Sequence, residues 1–267
     1  MLAIYRHTLA TRLLHWINAL CVFVVLMSGL QIFNAHPSLY WGKSGADPER
    51  AAFEITSNNS PQGDRVGLLR AGKHQFNSTG VLGVSHDGSE RAFPGWATIP
   101  GERFLAAGRR WHFFFAWLLV INSTVYVAVS LARGHLKRDL LPTRSELSPS
   151  HLIRDFWNHL QLRFPSGEAA KRYNPLQKIT YLGVLFILAP TILASGLTMS
   201  PGMDAGFPWL LDLFAGRQSA RTVHFICAAL VIVFIAVHLI MVLLAGPLNE
   251  LRSMITGRYV LPAKKDE

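Results

Sequence analysis

The chain contains 11 histidines, and four of them, His15, His112, His224 and His238, fall within or at the ends of long apolar runs. An imidazole surrounded by hydrocarbon needs a partner: a polar group on a neighbouring helix, a proton path or a metal ion. For any one of these histidines the three readings stand side by side. Their spacing separates the readings. His224 and His238 lie 14 residues apart on one apolar run. At ~100° and ~1.5 Å per residue, a helix turns both rings to within ~40° of one face and sets them ~21 Å apart along its axis. One helix therefore offers two ligating nitrogens in one direction at two depths.

The elements that must carry these residues are membrane spans. Four stretches, about 13–33, 111–132, 179–199 and 222–245, contain no charged residue. Each is long enough for a ~30 Å hydrocarbon layer, which takes ~20 helical residues. Arg, Lys or Pro-Gly punctuation bounds them, rather than the polar face of an amphipathic core helix. Half of the 267 residues are hydrophobic, which a soluble domain would also allow, but their segregation into four runs points to a polytopic membrane protein. Transporters usually place carboxylates within their spans, and these spans have none. Cys21 and Cys227 both lie inside spans, so they read as small packing residues rather than a disulfide or zinc site. Arg6 and Arg12 precede the first run as in a signal peptide, but the run is long for one and no small-x-small site follows, so it reads as a retained helix.

Charge distribution orients the spans. Arg6, Arg12, nine basic residues in the 133–178 loop, and Arg252, Arg258, Lys264 and Lys265 place 15 of the 26 Lys and Arg on one side. The 200–221 loop holds only Arg217 and Arg221. The 34–110 segment holds nine, but loops beyond ~60 residues have little influence on topology. Both termini and the 133–178 loop are thus expected in the cytoplasm, with 34–110 outside. The net charge of +10 follows from this bias. No basic block is interleaved with aromatics as a nucleic-acid groove requires.

Topology then pairs the histidines by depth. The first span starts inside and the second and fourth start outside, so His15 matches His238 at the inner face and His112 matches His224 at the outer face. Two trans imidazoles at one depth suit a six-coordinate haem iron seated between helices, and such ligation leaves no open position for a substrate. No C-x-x-C-H occurs, so each haem would be held noncovalently. Arg109, Arg110 and Arg221 flank the outer pair and would match haem propionates, although span ends are commonly anchored by positive charge anyway. Gly29 and Gly196 each sit in a Ser-Gly-Leu triplet; they would admit a porphyrin edge, or simply close helix packing. The triplets, with Arg110-Trp-His-Phe113 and His224-Phe225, hint at a duplicated hairpin.

The loops carry further pattern. Between residues 34 and 110, Tyr40, Trp41, Phe53, Phe76, Phe93, Trp96 and Phe104 are interspersed with glycines, ten of them from Gly42 to Gly101, as in a small ordered cap with tight turns. Its aromatics read as the cap's own core, an interfacial belt or a docking surface. Leu152, Phe156, Trp157, Leu160 and Phe164 recur at helical spacing, as in a helix lying on the membrane surface. The 207–214 stretch allows the same on the other side.

With these residues in place, the chain resembles the bacterial di-haem cytochrome b561-like family. That family supplies membrane subunits of nickel-iron hydrogenases, formate dehydrogenases and thiosulfate-reductase-type enzymes. The resemblance covers nearly the whole chain. It rests on Arg12-Leu-Leu-His15-Trp16, Met27-Ser-Gly-Leu30, Trp111-His112, Tyr173-Asn-Pro-Leu-Gln-Lys178 and the His224/His238 spacing. The 33–42 stretch, Phe-Asn-Ala-His-Pro-Ser-Leu-Tyr-Trp-Gly, is most similar to the thiosulfate reductase cytochrome b subunit branch, which is thought to serve a periplasmic molybdopterin oxidoreductase. The resemblance implies the same haem pairing and a quinone pocket on the cytoplasmic side. Asn174 falls at its quinone-contacting position, with Gln177 and His238 nearby. Asn174 also reads as a helix N-cap ahead of Pro175.

The expectation is an all-α membrane protein, a four-transmembrane-helix bundle with a long periplasmic loop between helices 1 and 2. It forms one cytochrome b domain in the bacterial inner membrane. Two noncovalent haem b groups would relay electrons between the quinone pool and a periplasmic, molybdopterin-type partner, which makes the chain an electron-transfer subunit. The alternative is a stand-alone b561-type quinol-dependent reductase of a small acceptor such as superoxide or ferric iron.

Overall fold

The computed structural model describes residues 2–45, 51–161 and 174–261. Arg50, Arg163, Phe164, Lys171, Arg172, Tyr173, Lys264 and Lys265 lie outside them; these entered the charge count, the expected surface helix or the 173–178 motif. The described chain is mostly helical. Its helices are α1 (Leu9–Phe33), α2 (Leu105–Ala132), α3 (Pro149–Leu160), α4 (Pro175–Thr198), α5 (Pro201–Gly206), α6 (Trp209–Leu213), α7 (Arg217–Ala245) and α8 (Pro247–Thr256). Of these, α1, α2, α4 and α7 are long and apolar enough to cross a membrane. They begin four to six residues before the expected spans, because a charge-free window marks the hydrocarbon crossing while the helix itself runs on through Arg109, Arg110, Arg217 and Arg221. Leu13, Phe23, Phe114, Ile187, Val233 and Leu243 are exposed, as side chains facing lipid must be.

Within α4, residues Val184–Leu188 form a π-helical turn just ahead of Pro190. Proline lacks an N–H and its ring crowds the preceding turn, and the wider turn accommodates both without ending the helix. Of the two expected surface helices, α3 leaves Ile153, Phe156 and Trp157 exposed and buries Asp155. The other is the shorter α6, with Trp209 and Leu213 exposed.

The strands are β1 (Leu2–Tyr5), β2 (Ser38–Leu39), β3 (Phe53–Asn59), β4 (Arg65–Ala71), β5 (His74–Asn77), β6 (Gly83–Val84), β7 (Glu90–Arg91) and β8 (Arg258–Leu261). Residue contacts group the chain into two compact units. Each long helix contributes one stretch to each of them.

The cap unit comprises Ala19–Val120 and Thr191–Ala228. Its 34–110 segment is built on an antiparallel sheet of order β2-β3-β4-β5 and a hairpin of β6 and β7. A small core of Phe33, Leu39, Ile55 and Ala92 joins Phe53, Phe93 and Phe225. The cap's aromatics therefore divide: Phe53 and Phe93 are core, while Trp41, Phe76, Trp96 and Phe104 are exposed. The hairpin lies so close to the sheet that a Cβ on Gly67 would sit 2.1 Å from the Leu82 carbonyl oxygen. Its neighbour Gly83, at φ +77°, would place one 2.3 Å from the Thr56 oxygen, so neither position admits a side chain.

Side chains of the long helices hold this cap by its backbone. Asn34 donates to the Phe93 carbonyl (3.1 Å) and accepts from the Phe93 N–H (2.7 Å). Thr222 donates to the Tyr40 carbonyl (2.6 Å), and Ser219 Oγ accepts from the Gly42 N–H (2.6 Å). Buried Arg91 donates to Gln31 Oε1 (2.8 Å), Thr98 Oγ1 (3.0 Å) and the Gly101 carbonyl (2.7 Å).

The terminal unit comprises Met1–Asn18, Ile121–Pro190 and Ala229–Glu267. Here β1 and β8 pair antiparallel, Leu2 with Leu261 through Tyr5 with Arg258. Arg6 bonds both Glu250 oxygens (3.1 and 3.2 Å) and stacks over Tyr259. Arg12 and Trp16 donate to carbonyls of α8, at Ile255 and Met254. Asn122 donates to the Leu14 carbonyl (2.8 Å) and to Asn18 Oδ1 (2.6 Å), joining α2 to α1. Lys178, buried at the start of α4, pairs with Glu146 (2.9 and 3.1 Å). His7, between β1 and α1, is held down to about 4 by burial and by the charges of Arg6 and nearby histidines and Arg12.

Two outcomes follow from these contacts. Gln31→Leu removes an acceptor from a buried guanidinium and should cost roughly 1.5–3 kcal/mol. That reads as a lower melting temperature of the detergent-solubilised protein; an unchanged one contradicts the network. Because His7 binds a proton in the unfolded chain below 6.5 but in the folded chain only near 4, the unfolded state takes up more protons in that window. Stability should then fall as pH drops from 6.5 towards 4, with a shallower fall in His7→Gln.

Candidate functional site

In the cap unit, α2 brings His112 and α7 brings His224 together. Their ring centroids are 6.2 Å apart and the planes cross at 63°. The Nδ1 atom of His112 lies 3.0 Å from the Val25 carbonyl oxygen, and that of His224 lies 2.9 Å from the Ile192 oxygen. A carbonyl only accepts, so each Nδ1 carries the proton and each Nε2 keeps its lone pair. Ser28 Oγ and Ser195 Oγ lie 3.3 and 3.2 Å from the same two Nδ1 atoms. The next residue in each case is a glycine whose added Cβ would meet the imidazole Cε1, at 3.4 Å for Gly29 and 3.2 Å for Gly196. The Ser-Gly pairs thus make room for the histidine rings themselves, a third possibility beside the porphyrin edge and the helix packing considered from sequence.

In the terminal unit, α1 supplies His15 and α7 supplies His238. Their centroids are 6.3 Å apart and the planes again cross at 63°. Trp16 lies edge-on to His15 (5.5 Å, 69°), and Phe234 stacks on His238 (6.1 Å, 19°). Tyr181 meets Phe234 edge-on (6.3 Å, 86°). A cleft bounded by Gln177, Thr180, Tyr181, Phe234, His238 and Met241 opens beside this pair.

Both pairs fit one metal atom between two imidazoles. A nitrogen–metal bond of ~2 Å plus ~1.1 Å from nitrogen to ring centre would set the centroids of two imidazoles on opposite sides of one metal atom up to ~6.2 Å apart. The observed separations are 6.2 and 6.3 Å. That separation leaves room for one metal atom between the rings, and a haem iron is a group that two such imidazoles would hold.

The other expected site residues are placed as follows. Arg221 donates to the Ser38 carbonyl (2.9 Å) and to that of His36, and its guanidinium covers Phe33; it secures the cap whether or not an anion is present. Arg109 lies over the ring of Phe113 (5.7 Å), and both Arg109 and Arg110 are exposed. Asn174 is the N-cap of α4: its side chain accepts from the Leu176 N–H (2.9 Å), and Gln177 Oε1 accepts from the Asn174 N–H (3.1 Å). Both side chains are thus engaged in a capping box, while Gln177 also borders the cleft. Sequence reasoning gave no role to Ser28 and Ser195; the repeated Ser-Gly-Leu triplet was their signal.

The family model described as prokaryotic cytochrome b561 matches residues 6–257. A relative from Azospira oryzae (strain ATCC BAA-33 / DSM 13638 / PS), the putative protein-methionine-sulfoxide reductase subunit YedZ1, is 26% identical over 246 residues, covering 92% of this chain and 93% of the relative. No solved structure matches the chain. Four apolar helices and a match of the family model over nearly their whole extent have one reading: the chain belongs to the prokaryotic cytochrome b561 family, multi-pass membrane proteins that bind haem b and transfer electrons.

Proposed function

We propose that this chain holds two haem b groups, one between His112 and His224 and one between His15 and His238. It relays electrons between membrane quinone and a separate oxidoreductase at the outer face. The observation that carries this is the recurrence, in each unit, of two imidazoles 6.2 or 6.3 Å apart with planes crossed at 63°. A haem held by such residues would supply one-electron transfer rather than substrate chemistry. The histidines would hold it, and Arg109, Arg110 and Arg221 would supply positive charge for propionates at the cap unit's site.

Charge asymmetry supports an inner-membrane topology with both termini cytoplasmic and the cap in the periplasm. The terminal unit then faces the cytoplasm, and its cleft beside His238 is the proposed quinone site. Phe234 and Met241 give it apolar walls, while Tyr181, Gln177 and Thr180 bring polar groups to orient a quinone oxygen. Asn174 contributes by fixing the first turn of α4 and with it the position of Gln177. The partner is a periplasmic oxidoreductase, of the molybdopterin type that the sequence resemblance implies. The Azospira oryzae relative is named a putative protein-methionine-sulfoxide reductase subunit, and a stand-alone b561-type reductase of a small acceptor stands as the alternative reading. Reduction of oxidised methionine is one chemistry that such a partner would perform.

The purified protein should contain two b haems per chain, and His112→Ala or His238→Ala should each leave one. A single haem in the wild type, or full haem in either variant, contradicts the assignment. Gln177→Leu and Tyr181→Phe should slow reduction by quinol severalfold while the dithionite-reduced spectrum stays unchanged. Rapid quinol-driven reduction of superoxide or ferric chelates by the isolated chain would instead favour the stand-alone enzyme.

A further inference from the structure

We infer that Ser28 and Ser195 are positioning residues that set the donor strength of His112 and His224, an inference that rests on those histidines being haem ligands. Both serines are fully buried. Ser28 donates to the Val24 carbonyl (2.6 Å) and Ser195 to the Thr191 carbonyl (2.8 Å), each four residues back in its own helix. A hydroxyl has one hydrogen. With it committed to a carbonyl, the oxygen faces histidine Nδ1 only as an acceptor. Each Nδ1–H is therefore shared between a serine oxygen and the carbonyl three residues before that serine, at Val25 or Ile192. Gly29 and Gly196 let the ring approach closely enough for this.

An Nδ1–H drawn towards two acceptors makes the imidazole a stronger donor at Nε2. A more basic axial ligand favours the oxidised iron and lowers its potential. The same offsets recur in α1 and in α4, one serine for each ligand, so the two imidazoles are matched. The other pair differs: among the described residues, no hydrogen bond reaches His15 or His238. The device thus belongs to one haem site. Back-bonding by a buried hydroxyl is common in membrane helices, and Thr198 provides an internal comparison. It is fully buried and donates to the Ala194 carbonyl (2.8 Å) in the same helix as Ser195, and no hydrogen bond joins it to a histidine among the described residues.

The test is a spectroscopic redox titration of the haem-loaded full chain. Ser28→Ala and Ser195→Ala should retain two haems and raise the midpoint potential of one, leaving the other unmoved; the double variant should shift it further. Thr198→Val should change neither. If Ser195→Ala loses haem, Ser195→Thr and Ser195→Val, equal in shape, replace it: Thr should keep haem and potential, and Val should not. Two haems with unmoved potentials, a shift in Thr198→Val equal to that in Ser195→Ala, or Thr no better than Val would each overturn the role. Failure of the ligand assignment reads differently, as full haem content in both His112→Ala and His224→Ala.

Discussion

A polar atom in the hydrocarbon layer cannot turn to water, so its partner must be provided by the protein. For His112 and His224 that partner is a backbone carbonyl of the adjacent helix, reached at 3.0 and 2.9 Å. Much of the cap unit's architecture serves this contact. A helix carbonyl can receive a bond from outside only if another helix comes very near, and a ring can come near only where the facing residues are small. Ser28-Gly29 and Ser195-Gly196 meet both needs, one pair on each facing helix. The bond fixes the tautomer, which leaves the lone pair on Nε2.

Holding that spacing requires that the helices keep their register, and both units achieve it by tying side chains to backbone. In the cap unit, Asn34, Ser219, Arg221 and Thr222 bind main-chain groups of the cap. In the terminal unit, Arg12 and Trp16 bind carbonyls of α8, and Asn122 binds α1. Such bonds give loop-backbone groups a partner where they approach the apolar helices. Arg221 and Arg12 near the span ends thus carry structural work of their own.

The four spans were legible in the sequence because hydropathy reports the solvent of a helix directly. The histidine pairs were legible because spacing and topology together fix depth: His224 and His238 share a helix, while His15 and His112 each lie near the start of a helix and those starts are expected on opposite sides. The N-cap at Asn174 was legible from the proline that follows it. The β structure of the 34–110 segment was not, since most of its strands are only two to four residues long and a period of two needs more residues to declare itself. Nor was the close approach of Gly67 to the Leu82 carbonyl or the use of Gln31 by Arg91, both of which depend on contacts distant in the chain. The Ser-Gly-Leu triplets stood in plain view, but their purpose needed the histidines placed against them in space.

Four histidines acting as two pairs, each on one iron, would leave a distinct magnetic signature. Low-temperature electron paramagnetic resonance of the oxidised protein tests for it most directly. Two crossed imidazole pairs predict two low-spin ferric signals of strong anisotropy, present in equal amounts and without a high-spin component. A dominant high-spin axial signal, or a single low-spin species accounting for all the iron, would contradict it.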